Sequence, residues 1–232
     1  MTYDYYHDFL TFQTKGHPNI ETSSVCILHC QMCFRNKKNL PKDSYARFEF
    51  NDSLRKTGVL TLENFEKFLY FFKSITLCGN YSDPVYWKNI LPALEFAKEY
   101  YPKTRIKINT AAQAPNIEWY KKAFTIGGNV TWTFGVDGDP TVAATYRQGQ
   151  DAQLIIDAMK LGASMSQHVT WQYIVMKYNQ HLIEKCKKEA LDNGINFLLV
   201  YSDRGESKKS TGATTLINPQ KQDKKIELFK AY

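Results

Sequence analysis

Hydrophobic and polar residues alternate along this chain with two different periods. Six short stretches are rich in β-branched or aromatic residues and are bounded by turn formers: Glu21–Val25, Ile75–Gly79, Arg105–Thr110, Val130–Val136, Val169–Met176 and Asn196–Tyr201. They predict β-strands. Between them apolar residues recur at helical spacing. Thr61 is placed to cap a helix with Leu62, Phe65, Leu69 and Phe72 on one side. Pro92 suits the first turn of a helix over Ala93–Tyr100, and Pro102 follows its end. A shorter helix over Asn116–Phe124 stops before Gly127-Gly128. Asp151 is placed to cap Ala152–Leu161, with Leu154, Ile155, Ala158 and Met159 inward and Gly162 closing it. Asn179 is placed to cap a last helix, with Leu182, Ile183, Cys186 and Ala190 inward and Gly194 as terminator.

Strand followed by helix, repeated, implies an α/β fold with parallel strands and outer helices. Six units are too few for a closed eight-stranded barrel. They predict a partial (β/α)6 TIM-like barrel or a doubly wound sheet, and in either case ligands gather at the C-terminal ends of the strands. Residues 19–204 form this core, after an N-terminal segment (1–18) and before a polar C-terminal tail (205–232). The connection Arg35–Val59 is long, polar and basic, as functional or mobile loops are. The tail, with one apolar cluster at Ile226–Phe229, reads as a disordered end or a flap over the site.

Composition narrows the function classes. Of 232 residues 43% are hydrophobic, a globular balance that excludes an unfolded chain. No apolar run has the length of a membrane span, and Met1 to His17 lacks the order of a secretory signal, so a cytoplasmic protein is expected. The formal charge of +7 admits an anionic partner such as a nucleic acid. The lysines are scattered over helix faces and tail, which favours a solvated surface over a nucleic-acid footprint.

Three of the five cysteines crowd into Cys26-x3-Cys30-x2-Cys33, directly after the first predicted strand. Such crowding is a metal site rather than a disulfide framework. Soft thiolates suit zinc or an iron–sulfur cluster. A zinc site would draw on His29 or Cys78 as a fourth ligand. An iron–sulfur cubane on three cysteines would keep one iron without a protein ligand.

The surrounding residues, Glu21-Thr-Ser-Ser-Val-Cys26-Ile-Leu-His-Cys30-Gln-Met-Cys33-Phe-Arg35, resemble the cluster loop of the radical S-adenosylmethionine (SAM) superfamily. The resemblance implies one [4Fe-4S] cluster on Cys26, Cys30 and Cys33, with SAM bound to the fourth iron. It implies reductive cleavage of SAM to a 5′-deoxyadenosyl radical, which abstracts hydrogen from an organic substrate. A one-electron reductant such as a flavodoxin or ferredoxin would supply the electron. Met32 stands where the family has an aromatic or apolar residue near the SAM adenine.

Later segments extend the resemblance in order. Gly79-Asn80-Tyr-Ser-Asp83-Pro84 resembles a variant of the family's Gly-Gly-Glu-Pro element, with Gly79 and Asn80 offering backbone and Asp83 a carboxylate to the SAM amino group; otherwise it is a plain Ser-Asp-Pro turn. Asn109 is a ligand contact or an ordinary turn residue. Asp137-Gly138 followed by Tyr146-Arg147-Gln-Gly149 resembles the pattern of the peptide- and sugar-modifying branch, which implies that Arg147 pairs with the SAM carboxylate. Gly135 replaces that pattern's serine. Gln172 lies on a strand resembling the adenine-side strand. No cysteine-rich extension follows, so a single cluster and a minimal core are expected. The substrate is open among a peptide, a nucleotide or nucleic acid, and a small metabolite. The rival reading is a non-catalytic zinc or iron–sulfur module that binds nucleic acid.

Overall fold

The computed structural model describes residues 16–30, 33, 59–79, 82–201 and 226–231. Its frame is one sheet in sequential order, with strands β1 (Asn19–Ile20), β2 (Ser74–Leu77), β3 (Arg105–Thr110), β4 (Val130–Gly135), β5 (His168–Val175), β6 (Asn196–Tyr201) and β7 (Ile226–Phe229). The first six pair in parallel, and β7 joins β6 antiparallel. Helices α1 (Leu62–Phe71), α2 (Ile90–Tyr100), α3 (Ile117–Ile126), α4 (Ala152–Ser164) and α5 (Ile183–Asp192) fill the connections. This is the partial (β/α)6 barrel that the alternating pattern predicts, extended by one strand.

Register separates the two faces of the sheet. Leu77, Ile108, Trp132 and Val169 are partners across four strands, as are Thr110, Phe134, Trp171, Phe197 and Phe229 across five. These rows, buried apart from Phe229, pack against the helices, where Phe124 meets Trp132 edge to face and Trp132 stacks on Phe134. The alternate rows, Asn109 with Thr133 and Thr170, and Gly135 with Gln172, fall on the opposite, inner face. A parallel sheet is ordinarily apolar on both faces. The inner face departs from this by carrying Asn109, Thr133, Thr170 and Gln172.

Several element ends differ from expectation. The first strand is Asn19–Ile20 rather than Glu21–Val25. Beyond Ile20 the carbonyls of Thr22 and Val25 accept from Leu60 and Asp83, which lie outside the strands, so the chain leaves the ladder to build a loop. Gly162 lies inside α4 instead of ending it; a Cβ there would stand 2.9 Å from a methyl of Val169 and 3.1 Å from the Phe124 ring. Its smallness serves helix-to-sheet contact. Helix α2 starts at Ile90, which leaves Pro92 in its first turn. Asn179 does not cap the last helix with its side chain; a 3₁₀ turn over Gln180–Leu182 precedes α5. Ile226–Phe229, expected in a disordered or covering tail, is a strand, because Phe229 finds the Phe197 ring and Lys187 lies over Phe229.

Candidate active site

The cysteine loop sits at the C-terminal edge of the sheet. Cys26, Cys30 and Cys33 are all half-buried, and the Cys33 amide donates to the Cys30 carbonyl at 3.1 Å. Two contacts dock the loop. His29 N–H donates to the Gln148 carbonyl at 2.9 Å, and the Val25 carbonyl accepts from Asp83 N–H at 2.8 Å. Burial pushes the Cys30 thiol up, and the Arg147 guanidinium opposes that shift. Among the described residues no three Cys, His, Asp or Glu side chains meet within reach of one ion. The loop brings the thiols to one place in the fold without gathering them around one point. Of the other cysteines, Cys186 is fully buried on α5, and burial pushes its thiol up to about 12. Burial and Glu21 push Cys78 up to about 11.

Asp83 is buried and fully engaged by the protein. One carboxylate oxygen accepts from Thr110 Oγ1 at 2.6 Å and Val85 N at 3.2 Å; the other accepts from Ala111 N at 2.8 Å and Ala112 N at 2.9 Å. Burial pushes its carboxyl up while these donors hold it down. The residue therefore ties the turn after β2 to the end of β3 and caps the 3₁₀ turn Pro84–Tyr86. Asp83→Asn places an amide NH2 among donors and strands at least one backbone N–H. A loss of roughly 2–3 kcal/mol is expected from an unsatisfied buried donor beside a repelling one, read as a lower urea midpoint. Gly79 has a comparable local reason. A Cβ there would lie 1.7 Å from the Ser82 carbonyl oxygen, so the close approach it permits is the chain's own turn.

Asp137 and Arg147 form a buried ion pair. Arg147 Nε lies 2.8 Å from Asp137 Oδ2, Asp137 is fully buried, and only 9% of Arg147 is exposed. The other oxygen, Oδ1, accepts from Ile174 N at 2.8 Å. Burial disfavours both charges, and each offsets the other's desolvation, which keeps Arg147 protonated beside Cys30. Gly135 makes room for this guanidinium. A Cβ at Gly135 would stand 3.0 Å from Arg147 Nη2 and 3.4 Å from the Ala111 side chain. The absent serine is thus a steric condition for placing Arg147 over the end of β4. Gln150, a residue the sequence did not single out, donates its amide to the carbonyls of Ala111 and Gly135 and joins the ends of β3 and β4.

Asn109 and Gln172 are half-buried on the inner face, at the levels of Thr133 and Gly135. Five buried polar atoms in this region have no hydrogen-bond partner among the described residues: Asn109 Oδ1, Gln150 Oε1, the Tyr178 hydroxyl, and Asp137 Oδ2 and Arg147 Nε, which face each other as an ion pair outside hydrogen-bond geometry. Buried polar atoms are rarely left so in a resting fold, and a bound ligand is one way to satisfy them. Met32, Asn80, and Ser202 to Arg204 lie outside the described residues.

No family model and no curated protein matches this chain. Solved structures do. SuiB of Streptococcus suis bound to S-adenosylmethionine aligns over 84% of this chain and 42% of its own, with a TM-score of 0.62 and 17% identity. SuiB bound to the precursor peptide SuiA aligns over 80% and 39%, with a TM-score of 0.61 and 16% identity. Polyhistidine-tagged anSMEcpe with bound AdoMet aligns over 80% and 49%, with a TM-score of 0.55 and 16% identity. The chain spans less than half the length of each of these proteins. Identity this low speaks to architecture alone. The chain shares the fold of these structures, among them two solved with S-adenosylmethionine bound.

Proposed function

We propose that the chain is a radical SAM enzyme in which Cys26, Cys30 and Cys33 hold a single [4Fe-4S] cluster and SAM lies across the C-terminal ends of the strands. The observation that carries this reading is the buried Asp137–Arg147 pair beside the cysteine loop, with its guanidinium set over a glycine at the end of β4. The donor set suits the cluster: three soft thiols lie on a loop outside the sheet and can converge without disturbing a strand. A cluster held there by Cys26, Cys30 and Cys33 would supply the one-electron reduction that radical chemistry on SAM requires.

The chain's own residues bind and orient. Arg147 keeps its outer nitrogens for the SAM carboxylate, as a guanidinium fork suits. Asn109 and Gln172 face the ligand from the inner wall, with Met32 and Asn80 as further contacts by their place in the sequence. Asp83 acts as a brace for the adjoining turn rather than as a ligand. A flavodoxin or ferredoxin is the fitting electron donor, and the reducing cytoplasm the fitting compartment. No helix among the described residues is long and apolar enough to cross a membrane. A peptide is the first substrate class to test, since a solved protein of this fold was crystallised with a precursor peptide; nucleotides and small metabolites follow.

The test is anaerobic reconstitution with iron and sulfide, then dithionite and SAM. Roughly four irons per chain are expected, as for one cubane, together with formation of 5′-deoxyadenosine and methionine. A protein that takes up zinc alone, or a cluster that leaves SAM intact, sinks the proposal.

A further inference from the structure

Tyr178 follows the end of β5 and has no part in the reading above. Its ring is half-buried, while its hydroxyl oxygen is wholly buried and without a hydrogen-bond partner among the described residues. The hydroxyl lies in the field of Asp137 and Arg147. Neither neighbour consumes it. Asp137 Oδ1 accepts from Ile174 N, and Oδ2 faces Arg147 Nε at 2.8 Å as an ion pair, without a hydrogen bond to the Tyr178 hydroxyl. Asn179, beside it, spends its amide protons on the carbonyls of Asp137 and Ile174 and its oxygen on Met176 N. The Asn179 side chain approaches the phenol oxygen only as a donor, outside hydrogen-bond geometry, so the O–H proton stays unspent.

The placement is rigid. Besides those three side-chain bonds, Asn179 accepts from Tyr173 Oη at 2.6 Å and donates its own N–H to the Met176 carbonyl at 3.1 Å. A residue anchored by six hydrogen bonds, Leu182 N–H to its carbonyl included, fixes the backbone of the tyrosine before it. An O–H held out of water with nothing to donate to is costly, and an anionic acceptor compensates it better than a neutral one. The cation already in place for such an anion is Arg147.

We infer that Tyr178 is a binding residue of this site, whose hydroxyl donates a hydrogen bond to the carboxylate of the ligand that Arg147 holds. The inference rests on the SAM reading above. The two donors then grip one carboxylate from different strands, Arg147 from the segment after β4 and Tyr178 from the end of β5. The pairing selects for the amino-acid end of SAM.

Equilibrium binding to reconstituted wild-type protein and Tyr178→Phe tests this, with SAM and with 5′-methylthioadenosine, which lacks the amino-acid moiety. Affinity for SAM is expected to fall about tenfold or more, the effect of one hydrogen bond to a charged group, while affinity for 5′-methylthioadenosine stays unchanged. Because the hydroxyl has no hydrogen-bond partner among the described residues, the melting temperature of ligand-free Tyr178→Phe should equal or exceed that of wild type. Unchanged SAM affinity, an equal loss for both ligands, or a lowered melting temperature without ligand overturns the assignment. Wild-type protein that fails to bind SAM at all overturns the SAM reading itself, and the inference with it.

Discussion

Cys30→Ala is expected to reduce iron from roughly four atoms per chain to well under one, as loss of one of three thiolates does for a cubane, and to abolish SAM cleavage. Cys30 sits in the middle of the loop, with its amide neighbour His29 pinned to Gln148 and its carbonyl accepting from Cys33. The Arg147 charge also acts on its thiol. Alanine keeps the backbone and removes only the thiol, so circular dichroism should not change. Cys186→Ala is the control. That thiol is buried on α5 with the core, so its loss should lower stability modestly and leave iron content and SAM cleavage intact. Full SAM cleavage by Cys30→Ala would refute the cluster assignment.

Arg147→Met separates structure from function at the other half of the site. Removing one partner of a buried ion pair leaves an uncompensated charge and costs about 3–5 kcal/mol. Urea unfolding should show that loss, because Asp137 is inaccessible to water and among the described residues retains only the Ile174 amide. Replacing both partners by apolar residues, Asp137→Leu with Arg147→Met, should restore a good part of the stability, since no buried charge is then orphaned. SAM binding should be lost in both variants. A double variant that regains stability and also binds SAM normally would reduce Arg147 to a structural residue.

Much of the fold was legible because its information is local. Period-two stretches placed β3 and β6 to the residue, and Thr61, Asn116 and Asp151 cap their helices through their own side chains. Misplacements arose where a local signal served a distant partner. Gly162 reads as a helix stop, yet it is small because Val169 and Phe124 press on it from another strand and another helix. The apolar residues of 226–229 read as a lone cluster, and became a strand only because the edge of β6 offered backbone partners.

The candidate site divides in the same way. By itself the sequence determined the residue types that any cluster chemistry needs, their order along the chain and their position after successive strands. Cysteine spacing, Asp137 and Arg147 are all local motifs, and a parallel α/β pattern sends such motifs to one edge. Tertiary structure alone decided what each side chain does there. Asp83 became a brace because the end of β3 presents Thr110, Ala111 and Ala112 to it across 27 to 29 residues. Gly135 became the seat of Arg147, and Tyr178 was left with a buried hydroxyl that no described residue satisfies. The physical reason is range. Periodicity and capping act over a few residues of backbone, whereas the satisfaction of a buried hydrogen bond or charge depends on which strands fold against one another.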